Sequence, residues 1–287
     1  MKTYPRVLTI AGSDSGGGAG IQADIKAISA TGSYAASAIT AVTVQNTLSV
    51  EAVYPVPPEI IAAQIRCVLT DIGANAIKIG MLHSAEVVLA VRDALLESLP
   101  DGVQQTETGR QPAAGRQPSV RNIVLDPVMV STSGHRLIEE SAIRVLASEL
   151  IPIARVITPN IPEAEILAGV EIHSQADLPA VAKKLSMGGK VSVLMKAGHL
   201  SDDSLVDIFY NAEEDRIVEL PSSRVHTPNT HGTGCTLSSA FASYLAQGLP
   251  LDDAARAATS YIHGAIVSGS GYSIGHGHGP VNHFWNH

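Results

Sequence analysis

The sequence predicts an α/β fold, a central mostly parallel sheet flanked by helices on both faces. Three observations carry that reading. Short apolar runs alternate with segments of helical spacing along the chain. Ala, Val, Ile and Gly abound while aromatic residues make up only 4%, as suits a sheet covered on both sides. At 287 residues and 45% hydrophobic content, the chain can bury a large core.

Taken in order, Arg6 to Ala11 reads as a buried strand that ends in a glycine loop from Gly12 to Gly20. Ile21, Ile25 and Ile28 mark a helix that stops at Gly32, and Ala38 to Val44 is a second strand. Val50 to Val56 is a short edge segment, followed by a helical stripe through Ile60, Ile61, Ile65, Val68, Leu69 and Ile72. Ala76 to Gly80 is a strand and Ala85 to Leu99 a helix. Further strands fall at Ile123 to Asp126, Val156 to Thr158 and Val191 to Lys196, each with helical material after it. Leu205 to Tyr210 and Arg216 to Leu220, separated by an acidic turn, read as a hairpin. The stretch 100–121 does not fit this rhythm. It is rich in Gln, Gly and Pro, repeats the residue types Gly-Arg-Gln-Pro, and reads as a surface insertion or a partner-binding loop. Residues 1–287 are expected to form a single domain around it.

Bulk properties narrow the class. A net charge of −8 argues against a broad nucleic-acid surface. Two cysteines, Cys67 and Cys235, make no disulfide framework. The first residues run directly into an apolar strand, unlike a signal peptide, and no apolar run reaches membrane-spanning length. The expectation is a cytoplasmic, soluble protein.

The most informative motif is Thr230-His231-Gly232-Thr233-Gly234-Cys235-Thr236, followed by Leu237, Ala240, Phe241, Tyr244 and Leu245 at helical spacing. A glycine-rich turn feeding a helix directs unpaired N–H groups at one spot, and the helix dipole makes that spot attractive to anions. A thiol there is expected to ionise more easily than a free cysteine. The loop Ala11 to Gly20 allows close backbone approach to a ligand, or simply makes a tight strand–helix joint. It is neither a Walker A loop nor a dinucleotide fingerprint. Asp126 ends an apolar strand, where a carboxylate caps a turn or holds a cation near a phosphate. Asn160 can cap the helix begun by Pro162, with Glu163 in its first turn, or both can organise Mg²⁺ and its waters. Lys196 either reaches solvent or offers its charge to a phosphate. Cys67 reads as plain core. The histidines His263, His276, His278, His283 and His287 read as lining a nucleotide edge rather than binding metal.

Together, Ala11 to Asp24, Asp126-Pro127-Val128-Met129, Thr158-Pro159-Asn160-Ile161-Pro162-Glu163 and Gly232 to Thr236, in this order, resemble the hydroxymethylpyrimidine/phosphomethylpyrimidine kinases of thiamin biosynthesis, in the ribokinase superfamily. The resemblance spans nearly the whole chain except 100–121. It implies a ribokinase-like fold, usually homodimeric, that uses ATP and Mg²⁺. It also implies phosphorylation of 4-amino-5-hydroxymethyl-2-methylpyrimidine and then of its monophosphate. On this resemblance Gln45, Gly12, Asp24 and Met81 contact the pyrimidine. Gly232, Thr233, Gly234 and Cys235 form the anion hole, with Cys235 where most relatives carry an aspartate base. Lys196, Asn160 and Thr158 attend the nucleotide, and Asp126 and Glu163 the metal. Alternatives are a pyridoxal kinase on the same scaffold and a non-catalytic ligand-binding relative. Gln45 and Met81 favour the pyrimidine, and the complete phosphate machinery disfavours a mere binder. A thiol hydrolase is weaker still, since His231 is only a chain neighbour of Cys235.

Overall fold

The computed structural model describes residues 4–98, 121–129, 137–200 and 204–287. The expected insertion therefore lies, apart from Arg121, outside the described residues. The strands are β1 (Arg6–Asp14), β2 (Tyr34–Gln45), β3 (Val50–Pro55), β4 (Ala76–Ile79), β5 (Ile123–Leu125), β6 (Val156–Ile157), β7 (Ser192–Met195), β8 (Ser204–Asn211) and β9 (Arg216–Ser223). The α-helices are α1 (Gly20–Ala30), α2 (Pro58–Asp71), α3 (Ala85–Ser98), α4 (Glu140–Val145), α5 (Ile161–Ala168), α6 (Leu178–Leu185), α7 (Thr233–Ala246) and α8 (Leu251–Gly269).

The strands form one sheet in the order β3-β2-β1-β4-β5-β6-β7-β8-β9. From β2 through β7 the pairings are parallel, while β3 and the β8–β9 hairpin add antiparallel edges. β1 therefore sits between β2 and β4, and the chain reverses its direction of sheet growth there. In a parallel sheet that switch leaves a crevice at the carboxyl ends of the strands.

Strand alternation divides the core in two. Leu8, Ile10, Ile77, Ile79, Ile123 and Leu125 pack toward α2 and α3. Val7, Ala76 and Val124 face Phe241, Ala258 and Tyr261 of α7 and α8. On this second face Thr9 and Lys78 are register partners, so the alternation that buries Val7 and Ala76 buries a hydroxyl and an ammonium as well. The boundaries differ from the sequence reading at β2, which begins four residues earlier, at Tyr34, and at β1, which continues three residues into the glycine loop, to Asp14. Cys67 is exposed on α2, not core. The helical stripe through Ile61 and Ile65 turns the Cys67 position outward.

Candidate active site

A cavity of about 640 Å³ opens at the carboxyl ends of the parallel strands. Its lining follows the strand order. Gln45 ends β2, Gly12 and Ser13 lie just before the end of β1, Met81 follows β4, Asp126 follows β5, Asn160 follows β6 and Lys196 follows β7. Asp207, Arg224 and, from α8, Thr259 and His263 close the far end. The structure thus brings together every site residue expected from sequence except Asp24 and Thr158, which lie beneath the cavity surface.

The expected phosphate turn, Gly232–Cys235, lines the same cavity at the start of α7. Gly232 precedes α7 at φ +80°, a left-handed conformation that side chains rarely adopt. Its position is also filled from outside, because a Cβ there would collide with the carbonyl oxygen of Gly18. The glycine loop and the phosphate turn are thereby packed backbone to backbone. A Cβ at Gly234 would lie 3.3 Å from Lys196 Nζ and 3.4 Å from Asp126 Oδ2, so the start of α7 meets these two charges directly.

Lys196 Nζ lies 3.1 Å from Asp126 Oδ1, and Thr158 donates to the same oxygen at 3.0 Å. Thr158 therefore orients Asp126 and does not face the cavity. Burial works against the charge on Lys196, but Asp126 and Glu163 outweigh it and hold the ammonium above its ordinary value. Asn160 and Glu163 form a reciprocal capping box: Glu163 N–H donates to Asn160 Oδ1 and Asn160 N–H to Glu163 Oε2. The capping and ligand readings of this pair are compatible, since both side chains also line the cavity. Burial, with Asp126 close by, pushes the Glu163 carboxyl up to about 7, against the pull of Lys196.

Cys235 reverses an expectation. Its thiol lies at the start of α7 and receives the N–H of Gly20, the first residue of α1. Two helix starts favour ionisation, as does Lys78. Burial still dominates and, with Asp24 and Asp126 nearby, pushes the thiol up to about 11. The sequence reading weighed the helix start but not the desolvation that the tertiary fold imposes.

Asp24 is likewise displaced from its expected role. It is fully buried, 2.9 Å from Lys78 Nζ, and accepts from Thr9 at 2.6 Å and Ser239 at 2.8 Å. Its carboxylate is engaged by Lys78, Thr9 and Ser239 and does not line the cavity. Lys78 was not singled out from sequence. The available signal was a lysine inside the apolar strand Ala76-Ile77-Lys78-Ile79, since a charge in a doubly covered sheet must be paired.

His231 and Asp14 were also missed. Asp14 Oδ2 lies 2.8 Å from His231 Nε2 and accepts from Gly18 N–H at 3.0 Å and Ala19 N–H at 2.8 Å, while Oδ1 accepts from Gly16 N–H at 2.8 Å. Burial opposes the charge, but His231 and these amides hold Asp14 below the ordinary carboxylate range.

The C-terminal histidines are not where the sequence placed them. Only His263 lines the cavity among those five. His276 and His278 give backbone N–H groups to Thr47, in the turn after β2. His283 is buried, with Nε2 3.0 Å from Thr236 Oγ1, and His287 reaches Ala30. The glycines of this segment let it run flush against the β2–β3 turn. It lies along that turn as a strap. Among the described residues no cluster of three or more His, Cys, Asp or Glu is arranged to hold a metal unaided.

Comparison with known proteins agrees with this geometry. The sequence profile described as phosphomethylpyrimidine kinase matches residues 14–103 and 102–282. The chain is 44% identical over 278 residues to a hydroxymethylpyrimidine/phosphomethylpyrimidine kinase of Rhizobium meliloti, covering 96% of each chain. It is 45% identical to the thiamine biosynthesis bifunctional protein ThiED of Geobacter sulfurreducens, matching 98% of this chain and 53% of that protein. A crystal structure of an ADP complex of Bacillus subtilis pyridoxal kinase superposes with a TM-score of 0.83 at 32% identity, covering 98% of both chains.

Proposed function

We infer that this chain, which belongs to the phosphomethylpyrimidine kinase family, is a hydroxymethylpyrimidine/phosphomethylpyrimidine kinase of thiamine biosynthesis. It transfers the ATP γ-phosphoryl group to the hydroxymethyl oxygen of the aminopyrimidine, then phosphorylates the monophosphate. The observation that carries this reading is the meeting of the Gly232–Cys235 turn with Lys196 and Asp126, in the cavity that Gln45 and Met81 close. Phosphoryl transfer needs positioning and charge stabilisation more than covalent chemistry, and these are the groups assembled.

Each residue has a role that follows from its place. Gly12 and Met81 are in mutual contact and form a flat wall for the ring, and Gln45 offers a donor and an acceptor to its edge. The N–H groups of the Gly232–Cys235 turn donate hydrogen bonds to the charge that develops on the transferring group. Lys196 neutralises nucleotide phosphate, with Asn160 beside it. Asp126 and Glu163 fit a Mg²⁺ site: two buried carboxylates, one of which resists ionisation without added positive charge, suit a hard cation that keeps waters and substrate phosphates as its other ligands. When bound, Mg²⁺ would supply charge neutralisation to the phosphates.

A thiol that titrates near 11 is protonated at neutral pH. Cys235 can therefore take the alcohol proton only as its minor thiolate, after its own proton has passed to solvent, and it does so late, once the acceptor oxygen has begun to bond to phosphorus. The second acceptor, an ionised phosphate, has no such need.

Further features of the reading are a single domain, a cytoplasmic location and a homodimer. No described helix is long and apolar enough to cross a membrane. Val42 pairs with Tyr54 across β2 and β3, and these side chains, with Val44, leave an exposed apolar face at the sheet edge. A second copy of the chain would cover it.

Kinship with a pyridoxal kinase structure keeps a second acceptor in view. ATP consumption measured with the pyrimidine alcohol, its monophosphate and pyridoxal decides between them. Turnover of both pyrimidines is expected, and phosphorylation of pyridoxal alone overturns the reading.

A further inference from the structure

Gln45 carries more information than its position in the cavity. Its backbone is fixed by Ser15, which accepts from Gln45 N–H at 2.9 Å and donates to Gln45 O at 2.7 Å. The two ends of its amide touch protein groups: Nε2 lies 3.4 Å from His231 Nε2, and Oε1 lies 3.2 Å from Thr43 Oγ1. In that orientation both contacts are in conflict. The Asp14 carboxylate, 2.8 Å from His231 Nε2, can only accept, so His231 Nε2 carries a hydrogen. Two N–H groups would then face each other. Thr43 has one hydroxyl proton, and the Ser13 carbonyl at 3.0 Å competes for it, so Gln45 Oε1 receives only a share. A half-turn of the amide relieves both at once: the NH₂ group then donates to Thr43 Oγ1, and the carbonyl shares His231 Nε2–H with the nearer Asp14 Oδ2 as the weaker arm of a bifurcated bond.

We propose that the Asp14–His231 pair is the positioning device that fixes the Gln45 amide in this turned orientation, and so sets which edge of an acceptor the pocket takes. The inference rests on the proposed pyrimidine reading. With its carbonyl toward His231, Gln45 has a second lone pair for an exocyclic amino group and a second N–H for the neighbouring ring nitrogen. Without a donor at His231 both amide orientations are available, and one presents donor to donor. The local build holds the pair in place. A Cβ at Gly18 would strike the His231 ring, His231 N–H donates to Gly279 O at 3.0 Å, and Lys26 Nζ donates to Gly17 O at 2.8 Å. The same histidine directly precedes Gly232, so the recognition of the acceptor and the phosphate turn share one anchor.

The test uses the full-length protein, with calorimetric binding of 4-amino-5-hydroxymethyl-2-methylpyrimidine and steady-state kinetics on the variants His231→Phe, His231→Gln, Gln45→Ala and His231→Phe/Gln45→Ala. His231→Phe should weaken pyrimidine binding about tenfold or more while leaving KM for ATP within about twofold. His231→Gln, whose amide nitrogen can replace the donor to Asp14, should recover most of the loss. In the Gln45→Ala background His231→Phe should add less than about twofold. An equal loss with and without Gln45, or a parallel rise in KM for ATP, overturns this inference and leaves the kinase reading intact. An unmutated protein that binds and phosphorylates only pyridoxal overturns both.

Discussion

Lys78 Nζ stands 2.9 Å from Asp24 Oδ1 with neither side chain exposed, and the pair lies between the sheet and the helix that carries the phosphate turn. Thr9 and Ser239 complete the shell around Asp24. Burial acts against the Lys78 charge, yet Asp24, with Cys235 and Asp126 adding to it, keeps the lysine above its ordinary value. Removing one partner leaves the other charged and unsolvated. Lys78→Met should destabilise the protein by about 3–5 kcal/mol in urea unfolding, and adding Asp24→Leu should recover much of the loss. A single-variant loss below about 1 kcal/mol would contradict a buried, charged pair.

Cys235→Ala separates the two phosphorylation steps. The alcohol step should slow by about 10²-fold, the usual scale for a positioned proton acceptor, and the monophosphate step by no more than a few-fold. Equal losses with both acceptors would reduce the thiol to a space-filling role. Because burial holds the thiol near 11, its alkylation by iodoacetamide, followed on the Cys235 peptide, should keep rising with pH beyond 9. A plateau near neutrality would show an ionised thiol instead.

Gly232→Ala tests the interlock of the two loops. At φ +80° and against the Gly18 carbonyl, an alanine forces the phosphate turn to move. The expected cost is at least about 1–3 kcal/mol from the backbone alone. Both phosphorylation steps should fall together by about 10²-fold or more, because both use the same N–H groups. Selective loss of one step would place the anion hole elsewhere.

His283 gives the C-terminal strap a pH signature. Burial, with Lys26 nearby, takes its pKa from 6.5 down to about 4. The folded value is the lower one, so the stability held by the neutral ring is complete above pH 6.5 and is lost as pH falls toward 4. The shift corresponds to about 3 kcal/mol at full effect. His283→Gln should flatten the stability curve across that window when unfolding is followed from pH 7 to 4. An unchanged difference between variant and wild type at both ends would remove the ring's titration as the cause.

Much of this was legible in the chain itself. Strand–helix alternation located the parallel strands because each strand is mostly apolar and each helix keeps its 3.6-residue spacing. The motifs at Asp126, Asn160–Glu163, Lys196 and Gly232–Cys235 were found because each ends a strand or begins a helix, where the chain must change direction. Less visible were Lys78, Asp14 and His231, whose partners lie 54 and 217 residues away in sequence.

The sequence by itself determined the α/β architecture, the strand-end positions of the site residues and the kinase family. Only the tertiary structure decided their electrical state. It set Asp24 against Lys78, tied His231 to Asp14 and made Cys235 a reluctant acid, where helix-start chemistry alone pointed the other way. The physical reason is that periodicity and turn residues act locally, whereas desolvation and charge pairing depend on which distant segments close over a side chain.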